Sequence, residues 1–215
     1  MKEPLKRYDE IRAASRELNT ELFRMLGKSE MTLAGRQLGL VKKNQFLLES
    51  EEEFDQFTDY AICDFYNKEG KNAAERYLAL MEGEIGEIET AYLNGLLDSW
   101  GSLFEVIGLG DNPGEVLLQD LLHEDRQIVL TDKGFSASSE ALMNSCLLYS
   151  RVLVVEGLCM TSGAPKLFKK DAKEMLLLKY IGRMKKVPFG NEQTKQSVAF
   201  HKLHGTYGHH QIEYR

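Results

Sequence analysis

The apolar pattern of the chain changes near residue 100, and this change limits the possible folds more than any other feature. Before it, apolar side chains recur three, four or seven positions apart, as in Leu5, Tyr8, Ile11, Leu18, Leu22 and Met25. That spacing predicts amphipathic helices. After residue 100, short apolar runs alternate with turn residues, which is typical of strands. We therefore expect an α+β protein.

The predicted elements divide the chain into three stretches that pack as one unit. A helical region over 1–100 contains helices near 5–26, 31–38, 51–66, 73–82 and 84–99. A β region over 101–168 contains strands at 102–107, 115–119, 127–131, 147–155 and 158–162. Five short antiparallel strands predict a small SH3-like or OB-like barrel, because closure removes exposed edges. A helix over 171–184 and an irregular basic tail complete the third stretch, 169–215.

The net charge of −6 conceals an uneven distribution. Residues 1–165 carry 16 Lys and Arg against 29 Asp and Glu, a balance of −13. Residues 166–215 carry 11 against 4, a balance of +7. The basic end is expected either to fold back on an acidic body, its own or a neighbour's, or to bind an anionic partner such as nucleic acid.

The compartment is predicted from what the sequence contains. The N-terminus is charged and lacks an apolar signal core. No apolar run approaches the ~20 residues that span a bilayer. Cys63, Cys146 and Cys159 lie in apolar runs without a C-x-x-C pair, which favours reduced thiols in the cytoplasm.

Three motif fragments resemble catalytic or cofactor motifs, and each lacks an essential part. Gly108-Leu109-Gly110 precedes a second strand, whereas a dinucleotide loop opens a helix. The stretch 134–138 lacks the last glycine of G-x-S-x-G and is predicted to be a serine-rich loop. His123-Glu124 lacks the second histidine of H-E-x-x-H. An enzyme is therefore not the first hypothesis.

The histidines near the C-terminus are the candidates for a metal site. Imidazole is a good ligand for divalent transition metals. The candidates are His201, His204, His209 and His210. Together with an acidic helix face that carries Asp55 and Asp59, they would suit a metal-dependent hydrolase. We otherwise expect no cofactor.

The same region mixes cations with aromatic rings. Cations contact phosphates and aromatic rings stack on bases, so this mixture suits single-stranded nucleic acid. The candidate contacts with nucleic acid or a protein partner are Lys185, Lys186, Lys195, Phe200, Lys202 and Tyr207. The acidic β region argues against a phosphate backbone. The first hypothesis is therefore a non-enzymatic interaction or scaffold protein whose C-terminal helix and tail contact a protein partner or another copy, and nucleic-acid binding is the alternative.

Several stretches together resemble a group of uncharacterised bacterial proteins. They are DYA at 59–61, GKNAAERYL at 70–78, SLFEV at 102–106, DLL at 120–122, DKGFS at 132–136, RV at 151–152 and MTSGA at 160–164. The resemblance covers about residues 50–168 and implies a helical N-terminal part with a small β-barrel, and no established activity. Some relatives carry a zinc-binding SEC-C motif. That cysteine-rich motif is absent here, so its zinc site is not carried over.

Overall fold

The structure is a computed structural model that describes residues 4–123, 126–163 and 165–209. Its helices are α1 Pro4–Met25, α2 Lys28–Leu38, α3 Glu51–Cys63, α4 Ala73–Leu80, α5 Glu87–Leu97, α6 Lys133–Ala137, α7 Ser139–Ser145, α8 Lys173–Met184 and α9 Glu192–Tyr207. Its strands are β1 Val41–Lys42, β2 Gln45–Phe46, β3 Trp100–Leu109, β4 Glu115–Asp120, β5 Gln127–Thr131, β6 Cys146–Val155, β7 Leu158–Thr161 and β8 Lys166–Lys169.

Side-chain caps fix where several helices begin. The Ser50 hydroxyl accepts a hydrogen bond from the Glu53 amide at 3.1 Å, which starts α3 as its sequence predicts. Asn72 and Glu75 exchange reciprocal bonds at the start of α4. The predicted helices of the first hundred residues are thus confirmed, with ends shifted by a few residues.

The main sheet is antiparallel and has the strand order β5-β4-β3-β6-β7. β8 pairs with β6 beyond the end of β7, so β7 and β8 share one edge of the long strand. The sheet curls into a half-barrel, and in the described residues no ladder joins β5 to β7 or β8. The α+β class is confirmed, whereas the closed five-stranded, SH3-like or OB-like barrel is not.

Three apolar clusters hold the elements together. The largest joins α1–α5 to β6 and β7 through residues such as Leu153 and Met160. A second lies between the sheet and α6–α7, around Phe104 and Leu142. The third packs α8 and α9 on β3, β6 and β8, around Phe200.

Three predictions about the elements were wrong. The serine-rich stretch 134–138 is helical, because the Asp132 carboxylate accepts bonds from the Gly134 and Phe135 amides and starts α6. Residues 166–169 form a sixth strand of the main sheet, β8. The stretch described as an irregular tail contains the 16-residue helix α9, capped by Asn191.

Candidate interaction surface

The structure separates the candidate contacts of the basic region into different environments. Phe200 is completely buried and stacks on Tyr149, with ring centroids 4.4 Å apart. It therefore belongs to the core, and no base reaches its ring in this fold. The Tyr207 hydroxyl accepts a hydrogen bond from Lys179 at 2.5 Å. Lys186 and Lys202 are exposed at separate places, on the 185–186 turn and on α9.

Two candidate lysines meet at a cleft between α8 and α9. This α8–α9 cleft has a volume of about 610 Å³. It is lined by Leu122, His123, Tyr180, Ile181, Met184, Lys185, Glu192, Lys195 and Gln196. Lys185, directly after α8, and Lys195, on α9, thus both line the cleft, together with the acidic side chain of Glu192. The cleft combines an apolar wall with cations at its rim.

One face of α8 is apolar and exposed. Met175, Leu178 and Ile181 are 39%, 74% and 49% exposed, and their spacing of three places them along one side of the helix. The opposite side carries Leu176 into the core. We call the exposed apolar face, with the cations Arg183, Lys185 and Lys186 that follow it, the α8 surface.

The cations of the α8 surface have no counter-ion within the part of the chain that the structure describes. None of Arg183, Lys185 and Lys186 forms an ion pair with a described residue, and all three are exposed. By contrast, Lys170 and Lys173 both pair with Glu105 on β3, at 2.9 and 2.6 Å. The basic segment therefore neutralises part of its charge on its own body, and the C-terminal end of α8 carries three of its other cations.

An acidic groove of similar size lies elsewhere on the chain. This α4–α5 groove has a volume of about 610 Å³ and is lined by Lys71, Glu75, Leu78, Ala79, Glu82, Gly83, Ile85, Thr90, Asn94 and Leu97. Leu80, beside it, is 70% exposed. Glu82 and Glu84 are exposed and form no ion pair with described residues. The groove thus combines apolar side chains with the carboxylates of Glu75 and Glu82, beside the cation Lys71.

The histidine candidates lie on or just after α9, except His210, which is outside the described residues. Burial, and then the nearby Lys166, lower the pKa of His201 to about 3. His204 packs edge-on against Phe168, with ring centroids 5.4 Å apart. The His209 amide donates to the Leu167 carbonyl at 2.8 Å. Within the described ranges, no three His, Cys, Asp or Glu side chains are grouped to hold a metal ion.

Ser102, Asp120 and His123 form a cluster that the sequence motifs do not indicate. The His123 Nδ1 lies 3.1 Å from an Asp120 carboxylate oxygen and 3.3 Å from the Ser102 hydroxyl. A catalytic triad instead needs the acid and the serine on opposite ring nitrogens. Ser102 is also fully buried, and its hydroxyl donates to Asp120. The cluster therefore anchors the turn after β4 and has no nucleophile that substrate can reach.

Some of this surface could be found from the sequence and some could not. The spacing of Met175, Leu178 and Ile181 is visible in the sequence, but it does not show which stripe of α8 faces the core. The α4–α5 groove depends on how two helices pack, so no local pattern indicates it. The cysteines are free, with Cys63 and Cys146 buried and Cys159 partly exposed.

Comparison with protein families finds a match over nearly the whole chain. Residues 2–213 match DUF7986, a family of unknown function. The chain belongs to this family. No curated protein and no solved structure matches it. The resemblance to proteins related to SEC-C carriers therefore stays a prediction. Among the described residues, no helix has the length and apolar character needed to cross a membrane.

Proposed function

We propose that this DUF7986 chain is a non-enzymatic interaction protein that self-associates, with the α8 surface of one copy docked in the α4–α5 groove of another. The observation that carries this proposal is the exposed apolar face of α8. Exposed apolar patches rimmed by polar groups mark interaction sites. A helix presenting apolar residues three apart is a common way to fill a groove.

Charge complementarity selects a second copy as the occupant. The α8 surface ends in three cations that form no ion pair with a described residue. The carboxylates of Glu82, which lines the α4–α5 groove, and of the nearby Glu84 are exposed and also form no ion pair with described residues. Both sites keep apolar surface open on a single chain, since Met175, Leu178 and Ile181 are exposed on α8 and Leu97 is 37% exposed in the groove. Docking between copies covers both apolar areas and pairs both sets of charges. Three free thiols suit such a protein in a reducing compartment such as the cytoplasm.

The contact is heterologous, because different surfaces of the two copies meet. A dimer formed in this way leaves one α8 surface and one α4–α5 groove unoccupied, so further copies add until a ring closes. Growth by further copies distinguishes this contact from a symmetric contact of α8 with α8. The heterologous contact also allows a strict test with two variants, one altered only in the α8 surface and the other only in the α4–α5 groove.

The test measures molar mass by light scattering over a range of protein concentrations. Leu178→Glu places a charge in the centre of the α8 surface. The double variant Glu82→Lys with Glu84→Lys reverses the charge at the α4–α5 groove. Loss of one buried leucine costs about 1.5–3 kcal/mol, so Leu178→Glu is expected to weaken association roughly 10–100-fold. Leu109→Glu, at a 59% exposed leucine on β3, is the matched control and should associate like the wild type.

Mixing the two defective variants gives the decisive result. Each alone should be monomeric, and together they should form a 1:1 dimer that grows no further, because one intact α8 surface meets one intact groove. A mixture that stays monomeric rejects the head-to-tail contact. A wild-type chain that is monomeric at all concentrations rejects self-association. The alternative partner is tested with the wild-type chain and single-stranded RNA. If the wild-type chain binds RNA, and the double variant Lys185→Glu with Lys186→Glu does not, nucleic acid replaces the second copy as the partner.

A further inference from the structure

A second cleft, between α1 and α3, is distinct from the α8 surface. This α1–α3 cleft has a volume of about 480 Å³, which suits a small organic ligand. One wall is formed by side chains of α1 and the other by side chains of α3. Its floor is formed by Tyr92 of α5 and by Ser162 and Gly163, which follow β7.

An anchored carboxylate lies at the floor of the cleft. One oxygen of Asp59 accepts a hydrogen bond from the Nε of Arg151 at 3.3 Å, and the other accepts from the Ser162 hydroxyl. Arg151 is itself buried and also pairs with the buried Asp64. The side chain of Asp59 remains 22% exposed. Because each carboxylate oxygen has two lone pairs, Asp59 retains acceptor capacity towards the cleft.

The α3 wall carries excess negative charge. Asp55 lies one turn before Asp59 on the same face of α3 and also lines the cleft. Burial, and then the charge of Glu51, raise the pKa of Asp55. A bound cation would relieve this repulsion. The predicted placement of Asp55 and Asp59 on one face is thus observed, but within the described residues they do not belong to a group of three ligands that could hold a metal ion.

The α1 wall carries the opposite charge. Arg16 and Arg24 line the cleft, and neither forms an ion pair with a described residue. The Nε of Arg16 donates to the Arg12 carbonyl at 3.3 Å, which leaves its terminal nitrogens available. Across the cleft, the hydroxyl oxygen of Thr58 is buried and has no hydrogen-bond partner among the described residues. Both walls therefore present polar groups without partners.

Apolar side chains complete the cleft between these charges. Phe23 of α1 and Phe54 of α3 meet edge to face across it, with ring centroids 5.6 Å apart. Ile62, Tyr92 and Leu96 line its deeper part. A ligand that fills the cleft must therefore have an apolar body in addition to its charged groups.

We infer that the α1–α3 cleft binds a small zwitterion with an apolar body, of the class of the apolar α-amino acids. The ammonium group pairs with Asp59 and Asp55, the carboxylate pairs with Arg16 or Arg24, and the side chain packs among Phe23, Phe54 and Ile62. A simple amine would leave the arginines unpaired, and a simple acid would face the carboxylates of α3. This ligand site is independent of the proposed self-association.

Titration calorimetry with three related probes tests the charges. L-phenylalanine has both charged groups, phenethylamine lacks the carboxylate, and 3-phenylpropionate lacks the ammonium group. L-phenylalanine is expected to bind, and each of the other two to bind at least ~10-fold more weakly, because one charge-assisted bond is lost. If phenethylamine or 3-phenylpropionate binds as tightly as L-phenylalanine, the zwitterion is rejected. If neither L-phenylalanine nor L-leucine binds at millimolar concentration, the ligand class is rejected.

Variants of the full chain test the location. Thr20→Trp is expected to fill the cleft and abolish binding while leaving Asp59 and Arg151 untouched. The double variant Arg16→Gln with Arg24→Gln should weaken the binding of L-phenylalanine by at least ~10-fold and leave the affinity for phenethylamine unchanged. Arg36→Gln, at an exposed arginine of α2 outside the cleft, is the matched control and should bind like the wild type. Unchanged binding by Thr20→Trp would place the ligand elsewhere and overturn the inference.

Discussion

Four charged side chains meet in the interior below the α1–α3 cleft. Arg151 and Lys166 are cations, Asp59 and Asp64 are carboxylates, and all but Asp59 are almost completely buried. Arg151 pairs with both carboxylates, whereas the Lys166 ammonium has no hydrogen bond or ion pair within the described residues. The sequence indicates none of this, because residues 59, 64, 151 and 166 come together only when α3, β6 and β8 pack.

Lys166 gives this cluster a measurable pH dependence. Burial lowers its pKa to about 8, below the ~10.4 of an unfolded chain. Between these values the unfolded state binds the proton more tightly, so wild-type stability rises with pH through this window. We predict that Lys166→Met is more stable than the wild type at pH 7, by about 2–3 kcal/mol in the free energy of unfolding. Urea denaturation measures the difference.

The advantage of Lys166→Met should be complete below pH 8 and should disappear as the pH approaches 10.4. Lys169→Met changes an exposed lysine on the same strand and is the matched control, with little effect at any pH. A difference between Lys166→Met and the wild type that stayed constant from pH 7 to 10 would contradict the prediction.

At the scale of single elements, the sequence predicts those that have one apolar stripe and one solvated face. α3 is such an element, with a visible cap at Ser50. α9 is not, because residues 196–200 are buried in succession and no stripe appears. The hydrogen-bond partners of its polar side chains are distant in the sequence. The Thr194 hydroxyl donates to the Asp64 carbonyl, and the Gln196 side-chain amide donates to the Gly101 carbonyl. Such partners cannot be read from a local pattern.

Phe200 tests whether α9 belongs to the core. Its ring stacks between those of Tyr149 and Tyr180, with centroids 4.4 and 5.6 Å away. Phe200→Ala should therefore lower the free energy of unfolding by about 3–5 kcal/mol, as other large core truncations do. Tyr207→Ala, on the partly exposed end of α9, should cost about 1 kcal/mol or less. If guanidinium denaturation gave the same loss of unfolding free energy for Phe200→Ala and Tyr207→Ala, α9 would not be part of the core.

At the scale of the whole molecule, the sequence predicts the charge separation but not its arrangement. The balance of +7 over 166–215 is a matter of counting. Glu105 neutralises Lys170 and Lys173, whereas Arg183, Lys185 and Lys186 form no ion pair with a described residue. This difference depends on the packing of the 3₁₀ helix Lys170–Ala172 and of α8 against β3. Candidate lysines could therefore be named from the sequence, but their separation into paired and unpaired groups required the fold.

The unpaired charges predict how salt affects association between copies. Attraction between the α8 surface and the α4–α5 groove is screened as the Debye length falls from about 10 Å at 0.1 M salt to about 3 Å at 1 M. We expect association to weaken several-fold over this range in sedimentation experiments. Lys185→Gln with Lys186→Gln should weaken the association at low salt and flatten its salt dependence, whereas Lys202→Gln, at an exposed lysine of α9, should do neither. Association that strengthens with salt would indicate that apolar burial alone joins the copies, since salt then favours the contact.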